Sequence, residues 1–253
     1  MSVAYAKTAQ TLIESLALRQ PPVAISFTDS LPAGIGMVNG RVPAGCRFWQ
    51  DAAHSAFATS AADHSLCAIG VYTHNLQPSA SQQIDLGDAL QAFSQLGYVR
   101  EEDIPFIPVL QSHSAYVVYS PLSETPLPPD VVILFVHANQ SLILSEATQQ
   151  VENQNAPAMG RPACAMIPQV MNSGCAAFSL GCCGARAYLD TLTDDVALFA
   201  IPGAKVDAYA QRIRALAEAN AILSKFHQMR RRAIAAGLIP TVSDSLAALR
   251  TGS

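Results

Sequence analysis

The sequence predicts a single domain of mixed α/β or α+β class, a mixed sheet flanked by helices with a long C-terminal helix. Three observations carry this. Strand-length apolar runs alternate with helix-length periodic segments, but without the regular strand–helix–strand order that a doubly wound parallel sheet imposes. The longest periodic element lies near the C-terminus, where Val206, Tyr209, Ile213, Leu216, Leu223 and Phe226 share a face until Gly237 and Pro240 stop it. No internal repeat, low-complexity tract or long linker divides the 253 residues. The expected globular domain covers residues 1–240, with 241–253 a C-terminal tail or short docked helix.

In chain order, residues 4–18 carry helical periodicity through Ala9, Leu12, Ile13 and Leu16 and stop before Pro21-Pro22. A strand over 23–27 follows. Residues 48–62 read as an alanine-rich helix, which sets Cys46 just ahead of a helix N-terminus, where unpaired amides and the dipole lower a thiol pKa. Residues 85–96 form an amphipathic helix closed by Gly97, and strands at 115–119 and 131–136 flank a proline-rich connection over 121–129. A helix over 141–152 takes Ser141 as its cap. Residues 157–168 read as an extended segment carrying Cys164, and 176–180 and 185–189 as strand material broken by Gly181-Cys182-Cys183-Gly184. A strand over 196–201 leads to the long helix, 205–236, and a last short helix begins at Ser243 or frays.

Composition excludes several classes. The chain is 50% hydrophobic and 13% charged with a net charge of −4, which reads as compact, globular and soluble. Its arginines are scattered singly until Arg230-Arg231-Arg232, which falls in the last turn of the long helix and complements the dipole there; no basic stripe of the kind nucleic acid requires is present. The best apolar run, 131–136, is far short of the ~20 residues that span a bilayer, so no membrane partner is expected. Met1 to Lys7 lacks the features of a secretory signal, which leads us to expect a cytoplasmic protein and, in a reducing cytosol, no disulfide framework.

Against that background the six cysteines stand out. Cys46, Cys67, Cys164, Cys182 and Cys183 sit in turn-like stretches built around glycine, proline and arginine, and only Cys175 sits where a small core hydrophobe belongs. Thiols at turns, with glycine freeing the backbone and arginine supplying positive charge, are candidates for metal ligation, cluster binding or nucleophilic chemistry. The stretches are Cys46-Arg47-Phe48-Trp49, Asp63-His64-Ser65-Leu66-Cys67-Ala68-Ile69-Gly70, Gly160-Arg161-Pro162-Ala163-Cys164 and Ser179-Leu180-Gly181-Cys182-Cys183-Gly184-Ala185-Arg186. Taken together they resemble domain-of-unknown-function family 169 of bacteria and archaea over nearly the whole chain. The resemblance implies that Cys46, Cys67, Cys164 and Cys182 are the recurrent cysteines and Cys175 and Cys183 additions; it implies no activity.

Four cysteines from four separate segments do not suit a structural zinc site, whose ligands usually lie two to four residues apart. They do suit an iron–sulfur cluster, [4Fe–4S] above all, because thiolates from distant turns can converge on one cubane while glycine and arginine neighbours donate hydrogen bonds to it. The expected cofactor and metal ligands are therefore Cys46, Cys67, Cys164 and Cys182, with zinc or no metal as the alternatives. Such a centre would serve electron transfer with a redox partner protein, or chemistry on a small anionic molecule. The candidate catalytic groups are Arg47 and Arg186 as anion clamps and His64, oriented by Asp63, as acid–base group.

Two rival readings keep the same residues. In one, Cys46 or Cys182 is a redox or nucleophilic thiol, and the protein is a cofactor-free small-molecule binding or thiol redox-sensing module. In the other, all six cysteines are buried small residues in an alanine-rich core. The remaining histidines, His54, His74, His113, His137 and His227, read as surface or capping residues, Trp49 as a core anchor, and Asp194-Asp195 as a turn or cap. No dinucleotide, phosphate-loop, nucleophile-elbow or zinc-protease motif occurs. The composition is compatible with self-association.

Overall fold

The computed structural model describes residues 5–154 and 157–250. Seven strands form one sheet: β1 (Val23–Thr28), β2 (Phe57–Thr59), β3 (Tyr116–Pro121), β4 (Val131–Val136), β5 (Ala158–Met159), β6 (Ala177–Ser179) and β7 (Ala197–Pro202), in the order β2-β3-β1-β4-β7-β6-β5. Every pairing is antiparallel except β5 with β6. The mixed class, the single sheet and the long C-terminal helix are as the sequence predicts.

Strand β4 shows why the sheet is buried on both sides. All six of its residues are buried, so its apolar run is continuous rather than alternating. Val131, Ile133 and Phe135 face one core, and Val132, Leu134 and Val136 the other, as the two-residue period of a strand requires. The second core is covered by α1 (Ala6–Leu16), α5 (Ala138–Glu152) and α7 (Val206–Ala235), through Leu12, Leu144 and Tyr209. The first is covered by α2 (Gly45–Asp51), α3 (Ala68–Thr73) and α6 (Met166–Ser173), through Trp49, Val71 and Ile167. Trp49 is fully buried there, a core anchor. Two helices stand outside these layers, α4 (Ala80–Gln95) and α8 (Val242–Arg250).

Several local expectations are corrected. The helix expected over 48–62 starts at Gly45 and ends at Asp51, because Phe57, Ala58 and Thr59 pair with β3 and are buried there; edge pairing outweighs alanine's helix propensity. Cys46 consequently lies inside the first turn of α2, not ahead of it. The helix expected from Ser141 begins at Ala138, capped by His137, whose backbone N–H donates to Gln140 at 2.7 Å; the Ser141 hydroxyl donates back to the His137 carbonyl at 3.0 Å.

The extended reading of 157–168 holds only for β5, since Ala163–Ala165 is a 3-10 turn leading into α6, where Pro168 occupies the first turn and its missing N–H costs nothing. Residues Gly184–Tyr188 form a single π-helical turn instead of a strand, a feature that often marks functional sites. Leu223 is 51% exposed because α7 leaves the body beyond Leu216, and Phe226 is buried again. Helix α8 is capped not by Ser243 but by Thr241, whose hydroxyl accepts from the Asp244 N–H at 3.1 Å. Ala4 and residues 251–253 of the expected terminal elements lie outside the described residues. Among the described residues no helix is long and apolar enough to cross a membrane.

Candidate functional site: a cavity floored by cysteines

Four local structures present the four cysteines. Cys46 is in the first turn of α2, Cys67 caps α3, Cys164 is in the turn before α6, and Cys182 precedes the π-helical turn. The glycines around them have definite work. Gly181 takes φ +88°, and a Cβ there would stand 2.7 Å from Leu192, so the chain can turn into Cys182 only without a side chain. Gly70 leaves room for the Cys67 sulfur, which a Cβ would meet at 3.2 Å.

The four cysteines line one cavity of about 730 Å³. Cys164 lies within electrostatic reach of Cys67, Cys182 and Cys46, and Cys46 within reach of Cys182. Cys183 is exposed at the same cavity, whereas Cys175 is elsewhere, its sulfur accepting from the Gln154 amide at 2.9 Å. All six are free thiols.

Burial sets their protonation. It pushes the Cys46 thiol up to about 11, opposed in part by the Thr191 hydroxyl, which donates to the sulfur at 3.6 Å. It pushes Cys67 up to about 12 and Cys164 well above the usual thiol range. The lowered pKa expected for Cys46 from the helix terminus is therefore corrected: desolvation in the core beside Phe48 and Trp49 outweighs the dipole. Among the described residues no three His, Cys, Asp or Glu side chains are grouped closely enough to hold a single metal ion.

The other expected site residues fall behind or beside the cavity. His64 is fully buried and does not line it; its Nε2 is 3.2 Å from the Thr59 hydroxyl and its Nδ1 has no partner. Burial, reinforced by His74, lowers it to about 3. Asp63 does not orient the ring, because its carboxylate accepts from the Ser60 N–H at 2.8 Å and hydroxyl at 2.9 Å. Arg47 donates to the Asp190 carbonyl at 3.3 Å. Arg186 is committed to three backbone carbonyls, Leu180 at 2.5 and 3.0 Å, Thr193 at 2.5 Å and Val196 at 2.9 Å, and so ties together the loop that carries Cys182. Neither arginine lines the cavity, whereas Arg161 does.

Other site features have no signal in the sequence. His74, expected as a surface or capping residue, is the C-cap of α3 and is fully buried, its pKa lowered to about 4 by desolvation. Tyr119, also fully buried, is pushed upward by desolvation and then by Cys46, Cys67 and Cys164. Thr191 lies 145 residues from the cysteine it touches. The cavity wall opposite the cysteines comes from α4 and the segment after it, with Phe93, Tyr98, Arg100 and Asp103. A neighbouring depression of about 880 Å³, lined by Ser60, Ser79, Gln82 and His113, shares Ser65 and Asp85 with the cavity but holds no cysteine.

The chain's residues 11–212 match the model of one family, DUF169, described as uncharacterised ArCR. No curated protein and no solved structure matches the chain.

Proposed function

The protein belongs to the uncharacterised ArCR family, DUF169, and from its cysteine site we propose that it is a cysteine-ligated metal-centre protein. The centre is an iron–sulfur cluster held by Cys46, Cys67, Cys164 and Cys182, used for electron transfer or for chemistry on a small anionic molecule. What supports this reading most is the meeting of four cysteines, from segments as far apart as 46 and 182, on one cavity. Four cysteines drawn from four separate segments suit a polynuclear cluster better than a structural zinc, whose ligands usually lie two to four residues apart. The cluster supplies redox or Lewis-acid chemistry when bound. The chain supplies four thiolates, excludes water from beneath them with Phe48 and Trp49, and directs the Thr191 hydroxyl at the Cys46 sulfur.

One observation favours the second reading, a cofactor-free binding or thiol-sensing module. Burial keeps Cys46 and Cys67 protonated at neutral pH, so without metal the floor of the cavity is neutral and suited to an uncharged part of a ligand. Anaerobic purification followed by iron, sulfide and thiol determination separates the two. A brown protein with iron and sulfide in cluster stoichiometry supports the first, and a colourless one with six titratable thiols after iron reconstitution supports the second.

A further inference from the structure

Helix α4 has its apolar stripe turned to the cavity rather than to the core. Leu86, Ala89, Leu90 and Phe93, spaced as one helical face, all line the cavity and are all only half-buried, while the sole fully buried side chain of the helix is Gln82. A helix of 16 residues that presents its stripe to an open space has an apolar surface awaiting a partner. The space, about 730 Å³, falls within the ~300–1,000 Å³ range of small-molecule sites.

The charges around this wall are unequal. Arg100 is taken by Asp103, which accepts from its Nε at 2.7 Å and its Nη2 at 2.6 Å. Arg161 is held differently: its Nη2 donates to the Tyr98 carbonyl at 3.0 Å and its guanidinium lies 5.2 Å from the Tyr98 ring centroid. These contacts fix the group while leaving the Nε and Nη1 donors without a hydrogen-bond partner among the described residues; Asp103 lies within electrostatic reach but is hydrogen-bonded to Arg100, so a planar acceptor can be met by a pre-oriented fork. Asp85 also lines the cavity and makes no ion pair among the described residues, so its side of the cavity is unfavourable to an anion.

We propose that the cavity binds a small carboxylic acid with an apolar, ring-sized body, its carboxylate on Arg161 and its body against Leu86, Leu90 and Phe93. The inference rests on the site described above and names the class of small anionic molecule it takes; it does not depend on whether the cysteines carry a cluster.

The test is calorimetric titration of the protein, as purified and after iron reconstitution, with 3-phenylpropionate and with its uncharged amide. Expected are saturable binding of the acid and at least tenfold weaker binding of the amide. Arg161→Gln should weaken acid binding at least tenfold with the amide unchanged, and Arg212→Gln, an exposed position on α7 outside the cavity lining, should leave the acid unchanged. A third variant, Phe93→Ser, should weaken acid and amide together. No binding of the acid in either form, equal affinity for acid and amide, or equal losses in Arg161→Gln and Arg212→Gln would overturn the proposal. Iron and sulfide in a protein that binds no acid sinks this inference alone; acid binding by a protein that takes up no iron sinks the cluster alone.

Discussion

The rings of His64 and His74 meet edge to face, 6.2 Å between centroids, and both are wholly buried behind the cysteine cavity. Among the described residues, three of their four nitrogens have no hydrogen-bond partner of good geometry, although the Cys164 backbone partly offsets the burial of His74. Unfolded imidazoles take protons near 6.5, the folded ones only near 3 and 4, so the unfolded chain binds more protons throughout that window. Stability is therefore complete above pH ~6.5 and falls as pH drops toward 4, by on the order of a few kcal/mol. Urea unfolding at pH 7 and pH 4.5 should show this loss, and His74→Phe, which keeps an edge contact with Phe27, should reduce it. Equal acid sensitivity in the variant would defeat the assignment.

The thiols predict the opposite limb. Unfolded cysteines ionise near 9 and the folded Cys46 and Cys67 near 11 and 12, so between these values the folded chain keeps protons that the unfolded chain has lost. Stability of the metal-free protein should fall as pH rises through that window. Metal uptake should instead release protons, because each ligand must become a thiolate, and affinity should weaken steeply as pH is lowered from 9 to 6. Iron titration in weakly buffered solution with a pH indicator measures the release; no proton release would count against thiolate ligation.

Alanine at Cys46, Cys67, Cys164 or Cys182 should each remove or strongly perturb the bound centre, whereas alanine at Cys175 or Cys183 should leave iron content within a small margin of wild type. Alanine is preferred to serine at Cys164, which is 4% exposed, because a hydroxyl buried there without a partner would itself cost about 1–3 kcal/mol. Iron and sulfide per chain give the answer. Uniform tolerance at all six positions would remove the ligand assignment.

Arg186→Gln should destabilise the fold by about 2 kcal/mol, because the side chain bridges the carbonyls of Leu180, Thr193 and Val196. Arg186→Lys should rescue little, since one ammonium cannot span three acceptors set around a planar fork. Chemical denaturation measures the first effect. Iron content at temperatures where the variant stays folded tests whether the Cys182 loop has also been loosened.

Much of the fold was legible because it follows from local pattern. Strand β4 coincides with its apolar run, and the long helix was bounded by its period and by Gly237 to within a residue at either end. The alanine-rich stretch after Asp51 departs from its local preference because a distant strand, β3, supplies a ladder for Phe57 to Thr59. The segment after Cys183 makes a π-helical turn whose Arg186 binds carbonyls six to ten residues away, an arrangement that apolar periodicity does not signal. Arg186 and Arg47 looked like anion clamps because they adjoin cysteines, but adjacency along the chain does not fix direction: Arg186 directs all three of its nitrogens at backbone carbonyls, and Arg47 directs its Nη1 at that of Asp190.

The sequence by itself determined which residues are the candidates for chemistry: cysteines in glycine-bearing turns, in a chain poor in charge and with an apolar pattern sufficient for a two-sided sheet. Only the tertiary structure decided how those residues stand to one another. It set Cys46, Cys67, Cys164 and Cys182 around one space, placed His64 and His74 behind it, and left Arg161 rather than Arg47 or Arg186 facing the cavity. The physical reason is that burial and separation govern these properties. A thiol's pKa depends on the water removed from it, and a guanidinium's availability on the carbonyls already within its reach; the contacts that fix them run across the chain, as Thr191 with Cys46 and Arg47 with Asp190, or within a folded loop, as Arg186 with Leu180 and Val196.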